Sequence, residues 1–171
     1  VYRFATLVKT STFTCDGGGN PVTYYYMDIV TYQYTVNGGG SPTAPTLTGT
    51  ALGASTTVTA PSVAPLTTYL DDGTTFTLTN PATGSTSTER WQANSGASGS
   101  SSAGLAINPT YYHQFTCTCS YSGTVASGGA PSYSSTAFGA GSVLTMPSVA
   151  PATIWSDNAA YKDCATDPLT C

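Results

Sequence analysis

Pro61-Ser62-Val63-Ala64-Pro65 recurs unchanged as Pro147-Ser148-Val149-Ala150-Pro151, and this block decides how the rest of the chain is read. Moving outward at the same spacing of 86 residues, Tyr25 meets Tyr111, Tyr26 meets Tyr112 and Pro45 meets Pro131. Gly53 meets Gly139 and Asp71 meets Asp157. The chain therefore carries two copies of one pattern, the signature of a repeated structural unit. Thr86–Gln92 extends copy one with a strand-like closing segment, for which this spacing finds no counterpart in copy two. A similar stretch lies at the other end of the chain, where Tyr2-Arg3-Phe4-Ala5 resembles Glu89-Arg90-Trp91-Gln92.

Around the repeated block the sequence alternates like a set of strands. Tyr2, Phe4, Thr6 and Val8 interleave with Arg3, Ala5, Leu7 and Lys9, the period of an extended chain. Val22–Val36 reads as a long tyrosine-rich strand, turned by Asn37-Gly38-Gly39-Gly40-Ser41-Pro42. Pro45–Ala60, Leu66–Asn80 and Ser85–Ala93 read as further strands, and Asp71-Asp72-Gly73 as the turn of a hairpin. Proline and glycine at this density leave little room for helix. The expectation is an all-β chain of two tandem immunoglobulin-like β-sandwich domains. Residues 1–19 form an N-terminal strand and hinge, 20–93 the first domain, 94–109 a Ser/Gly-rich linker, and 110–171 an incomplete second domain.

An incomplete sandwich exposes the edge of a sheet, and an open edge recruits another strand. The spacing predicts that the N-terminal strand fills the gap in the second domain, with Tyr2, Phe4, Thr6 and Val8 as the inserted side chains. The strand can come from a neighbouring chain or fold back within its own. With donor and acceptor at opposite ends, exchange between chains is head-to-tail and propagates.

Charge narrows the classes. Only 7% of residues are charged, the net charge is −4, and four cations are present in all. Nucleic acid is excluded as a partner, because phosphate binding needs clustered Lys and Arg. No run of about 18 apolar residues occurs, so no membrane span is expected. Val1 reads as a mature terminus left after export, and five cysteines without zinc-like spacing suit an oxidising exterior. No N-glycosylation sequon is present, so any glycan is expected to be O-linked to the abundant Ser and Thr.

Single residues point to packing more than to chemistry. His113 is the only histidine, and at the 86-residue spacing it faces Met27, an apolar residue. No Ser-His-Asp pattern stands out, so no catalytic residue is assigned and an enzyme is not expected. Asp71, Asp72 and Asp157 fall in equivalent turns, where Asp is a common turn former. Cys117 and Cys119 project from one face of a strand and do not suit a bond to each other. Pairing of Cys117 and Cys119 with Cys164 and Cys171 is preferred, with Cys15 left over or displacing one partner. No metal or cofactor is implied, because soft and imidazole ligands are too few. The tyrosines also admit a second reading, a carbohydrate- or surface-binding module of a larger secreted protein.

Tyr111-Tyr112-His113-Gln114, followed by a strand, a Gly/Pro turn and Trp155-Ser156-Asp157, resembles repeats in secreted archaeal surface proteins, including regions attached to thermopsin-like peptidases. Asn108-Pro109-Thr110-Tyr111-Tyr112 and Glu89-Arg90-Trp91 belong to the same pattern. Size, composition and terminal arrangement are similar to archaeal extracellular thread or pilus subunits, which are immunoglobulin-like and assemble by donor strands. The resemblance implies a cell-surface filament, a homopolymer resistant to heat and acid and glycosylated, that serves adhesion or cell-cell contact. No peptidase motif maps onto residues of this chain.

Overall fold

Pro and Gly cut the sequence into short segments rich in Thr, Val and Tyr, and every regular element described is a strand. The computed structural model describes residues 12–13, 22–23, 25–61, 64–121, 130–145, 147 and 151–157. In chain order the strands are β1 (Thr12–Phe13), β2 (Val22–Thr23), β3 (Met27–Tyr32), β4 (Thr35–Asn37), β5 (Thr46–Ala51), β6 (Ala54–Thr59) and β7 (Leu66–Asp71). There follow β8 (Thr75–Leu78), β9 (Glu89–Ala93), β10 (Ser98–Ser100), β11 (Ala106–Ile107) and β12 (Thr110–Cys119). The last are β13 (Ser132–Ala137), β14 (Ala140–Thr145) and β15 (Ala152–Ser156). The chain divides into two compact units: 1–35, 44–80 and 95–109 form the first, and 36–43, 81–94 and 110–171 the second.

In the first unit β3 lies between β7, antiparallel, and the short parallel β11. A second sheet runs β10-β8-β5-β6. Alternation along β3 turns Asp28, Val30 and Tyr32 inward, and Leu47, Leu70, Phe76, Leu78 and Ile107 complete the core. Each such large apolar side chain contributes about 1.5–3 kcal/mol by leaving water. The two sheets press together at Gly49, where an added Cβ would stand 2.8 Å from Leu70 Cδ2. Face-to-face sheets meeting this closely are consistent with a β-sandwich.

In the second unit β12 is the central strand. β15 pairs with Phe115–Cys119, β9 pairs with Tyr111–Phe115, and β4 joins the same sheet. The hairpin β13–β14 forms a separate two-stranded sheet among the described residues. Trp91, Ala93, Tyr111, Phe115, Cys117, Cys119 and Ser156 are buried here.

Several expectations change: Val22–Val36 is divided into β2, β3 and β4, and the expected linker 94–109 carries β10 and β11. Pro45–Ala60 is a hairpin rather than one strand, since β5 and β6 pair from Thr46↔Thr59 to Ala51↔Ala54 around Leu52-Gly53. Asp71-Asp72-Gly73 does not close a hairpin: β7 pairs with β3 while β8 pairs with β5 and β10, so this turn carries the chain from one sheet to the other. Glu89–Ala93, grouped by sequence with the first copy, forms its ladder with β12 in the second unit. The compact units thus do not follow the contiguous division 20–93 and 110–171.

The repeat itself needs a one-residue correction. β5, β6 and β7 recur as β13, β14 and β15 at 86 residues, as Ala51↔Ala54 and Ala137↔Ala140 illustrate. On β3 and β12 the spacing is 87. Asp71 stands opposite Met27, whereas the Phe115↔Ser156 pairing aligns Asp157 with Gln114. A slip of one residue exchanges the two faces of a strand. At 86 the buried Val30 would match the half-exposed Thr116; at 87, Val30 and Tyr32 match the buried Cys117 and Cys119. The true counterpart of His113 is therefore Tyr26, not Met27.

Candidate functional site: clamped turns and open strand edges

The two conserved-in-copy aspartates hold turns that are distant in sequence. Asp71 ends β7 and accepts hydrogen bonds from the Leu52 and Gly53 amides, both at 2.8 Å. Asp157 accepts from Phe138 at 3.0 Å and Gly139 at 2.7 Å. Leu52 and Phe138 have φ of 56° and 53°, and Gly53 and Gly139 both 72°, so each turn needs two left-handed residues. A carboxylate gripping both amides offsets the steric cost of a bulky residue in that region. A tyrosine closes each turn: Tyr25 covers Gly53, and Tyr112 covers Gly139 and meets Phe138 edge-on at 5.8 Å. Those tyrosines are also 87 residues apart. Asp71 and Asp157 thus clamp, through their side chains, the Leu52-Gly53 and Phe138-Gly139 turns, while Asp71 also opens the turn that ends at Thr74.

In the second unit the clamp is wired into a polar chain. Gln114 is fully buried, donates to Asp157 Oδ1 at 2.8 Å, and accepts from Arg90 Nε at 2.9 Å. The Arg90 guanidinium lies 4.0 Å from the centre of the Trp155 ring. Burial lowers the Arg90 pKa below that of a free guanidinium. On the neighbouring rung His113 stacks on Trp91 at 4.4 Å and touches Phe115 at 4.5 Å. Its Nε2 faces Glu89 Oε1 at 2.7 Å and its Nδ1 faces the Gly38 carbonyl at 3.3 Å. Trp91 donates to the Gly39 carbonyl at 3.1 Å. His113 is used as packing and as a hydrogen-bonding bridge, with no hydroxyl nucleophile on either ring nitrogen.

The first unit has a different polar cluster. Asp28 is 8% exposed, and its Oδ2 has no hydrogen-bond partner among the described residues. Burial first, and the nearby Asp72 carboxyl second, raise its pKa above the ordinary value. Ser101 ties the same corner, donating to the Asp71 carbonyl and accepting from the Thr74 amide. Among the described residues no group of three or more His, Cys, Asp and Glu side chains is placed to hold a metal.

The expected assembly residues Tyr2, Phe4, Thr6 and Val8 lie outside the described residues, as do Cys15, Cys164 and Cys171. Cys117 and Cys119 sit on the inward face of β12, both buried, and are not bonded to each other. No disulfide occurs among the described residues, and the preferred partners Cys164 and Cys171 lie outside them.

Sequence reading expected an open edge in the second domain but located neither of two stretches of ladder that are unpaired among the described residues. On β3, Ile29 accepts from Gly104, Thr31 donates to Leu105 and Gln33 donates to Ile107, all on the β11 side. By alternation Tyr25 and Met27 point to that same side, and neither they nor the Ile29 amide have a partner there among the described residues. On β12, β9 covers Tyr111–Phe115 and Thr88 accepts from the Thr116 amide at 3.0 Å. Beyond it the Thr116 carbonyl, the Thr118 backbone groups facing that side and the Ser120 amide are unpaired among the described residues. The signal was present: at 87 residues Thr23/Thr110, Tyr24/Tyr111, Tyr25/Tyr112 and Thr31/Thr118 are identical.

Searches of protein-family models, of curated proteins and of solved structures find no match to this chain. Among the described residues no helix is long and apolar enough to cross a membrane.

Proposed function

We propose that the chain is a structural subunit of an extracellular filament, built from two tandem immunoglobulin-like sandwiches and assembled head-to-tail by donor-strand complementation. Its work is mechanical: adhesion or contact between cells, with identical subunits as partners and O-linked glycans on exposed Ser and Thr.

One observation carries this reading. Residues 95–109 lie between β9 and β12 of the second unit, yet belong to the first. There they supply β10 to the edge of β8 and β11 to the edge of β3. An excursion of the chain thus lends strands to a unit other than the one it leads into. On β12 the groups equivalent to those that β11 satisfies are the Thr116 carbonyl, the Thr118 amide and the Ser120 amide, open among the described residues. Residues 7–20 precede copy one as 94–107 precede copy two. Lent to the second unit of another molecule, they would repeat between chains what residues 95–109 do within one. The pairing is heterologous and propagates into an open polymer.

Negative-stain microscopy of purified protein tests the idea. Filaments are expected, and removal of residues 1–14 is expected to leave folded subunits that neither polymerise nor extend wild-type ends. A wild-type chain that stays monomeric at every concentration overturns it. Glycan affinity in such a monomer would favour the carbohydrate-binding alternative.

A further inference from the structure

The open edge of β3 has a counterpart that is closed. β9 runs antiparallel to β12 with Tyr111↔Ala93, His113↔Trp91 and Phe115↔Glu89. β12 corresponds to β3 at 87 residues, and the same offset carries Thr88-Glu89-Arg90-Trp91-Gln92-Ala93 onto Val1-Tyr2-Arg3-Phe4-Ala5-Thr6. Arg90 falls on Arg3 and the aromatic Trp91 on the aromatic Phe4. Since the offset is the same for both strands, the intervening chain is also the same length: Ala93 to Tyr111 and Thr6 to Tyr24 are separated equally. A ladder that this connection permits in the second unit is therefore within reach in the first.

We infer that Val1–Thr6 adds to the β3 edge at Tyr25–Ile29 of its own chain, antiparallel, with Phe4 opposite Tyr26. The surface awaiting it is apolar as well as unpaired among the described residues, with Tyr25 40% and Ile29 42% exposed among the large hydrophobic side chains. Each pairing has its model in the second unit. The Ile29 amide takes the place of Thr116, which donates to Thr88, and so reaches the Val1 carbonyl. Met27 stands opposite Arg3 as Gln114 stands opposite Arg90, and Asp28 stands opposite Tyr2 as Phe115 does opposite Glu89. The antiparallel pair β1–β2, with Thr12↔Thr23 and Phe13↔Val22, has the strand direction this requires but a different register. Simple continuation of that short ladder would bring Thr10 opposite Tyr25, so the proposed register makes a distinct claim.

The inference divides the N-terminal segment by role. Tyr2, Phe4 and Thr6 serve the first unit of their own molecule, and only the residues after them are left for exchange. It stands whether or not the chain polymerises, so its failure is separable from that of the filament reading.

Amide hydrogen exchange on the full chain and on a chain lacking residues 1–6 tests it. Deletion is expected to speed exchange at Met27 and Ile29 by about 100-fold, while Asp28 and Val30, which face β7, are unchanged. A second measurement fixes register and origin: Phe4→Cys with Tyr26→Cys, in a Cys15→Ser background, is expected to oxidise to a crosslinked monomer at any dilution. Unchanged protection at Met27 after deletion overturns the proposal. So does a crosslink found only in dimers, which would assign the strand to a second copy, or one formed by Thr10→Cys with Tyr25→Cys instead.

Discussion

Asp157 Oδ2 accepts the Gly139 amide at 2.7 Å, the counterpart of the 2.8 Å bond between Asp71 and Gly53. A carboxylate at the end of one strand holds the turn of a hairpin 18 residues earlier in both copies. Repetition of both bonds shows that the sequence repeat is a repeat of structure.

Removing a clamp should open its hairpin. Asp71→Ala loses two charge-assisted bonds to turn amides, and a destabilisation of about 2–4 kcal/mol is expected. Asp71→Asn keeps one acceptor and should cost less. Chemical denaturation of the two variants, with the same pair at Asp157, measures both the size and the order.

Glycine is required where the turn meets its tyrosine. A Cβ at Gly53 would stand 2.5 Å from Tyr25 Oη with φ at +72°, so Gly53→Ala combines strain with a clash. Gly73 has φ of +68° but open space around it, so Gly73→Ala carries strain alone. About 1 kcal/mol is expected at Gly73 and about 2–3 kcal/mol at Gly53. Thermal melts that rank them equally would remove Tyr25 from the account.

Asp28 sets a pH dependence of known sign. Its folded pKa lies above the ordinary 3.8, so the native state binds the proton more tightly than the unfolded chain. The stability from this group is fully present below 3.8 and falls as pH rises through the raised folded value. Asp28→Asn should therefore stabilise the protein at neutral pH and flatten this part of the profile. Urea titrations across acid and neutral pH, in the wild type and the variant, provide the comparison.

Trp91 belongs to the second unit despite lying in the first copy's half of the sequence. Trp91→Ala removes the stack on His113 and the bond to Gly39, at an expected cost of about 3–5 kcal/mol. Exchange should accelerate at Tyr112 and Gln114, while Val30 and Leu70 remain protected. Loss of protection in β3 and β7 instead would return Trp91 to the first unit.

The all-β class was legible because Pro, Gly and β-branched residues act locally, and the copies were legible because Pro61–Pro65 recurs intact. His113 as a packing residue was also readable, though its partners Glu89 and Gly38 were not, since both come from distant segments. The hairpin at Leu52-Gly53 was missed because only glycine advertises a left-handed turn, and Leu52 adopts its conformation under the Asp71 clamp. Asp71-Asp72-Gly73 carried a local hairpin signal, but the turn residues do not determine which sheets the flanking strands enter.

By itself the sequence determined the all-β class, the presence of a repeat and the scarcity of charge, all consequences of residue type along a line. Tertiary structure alone decided that β9 pairs with β12, that residues 95–109 turn back into the first unit, and that β3 and β12 are related by 87 residues. Those choices depend on which backbone edges find partners and which face of a strand meets the core. A one-residue slip is nearly invisible in an alignment, yet it exchanges every buried side chain for an exposed one.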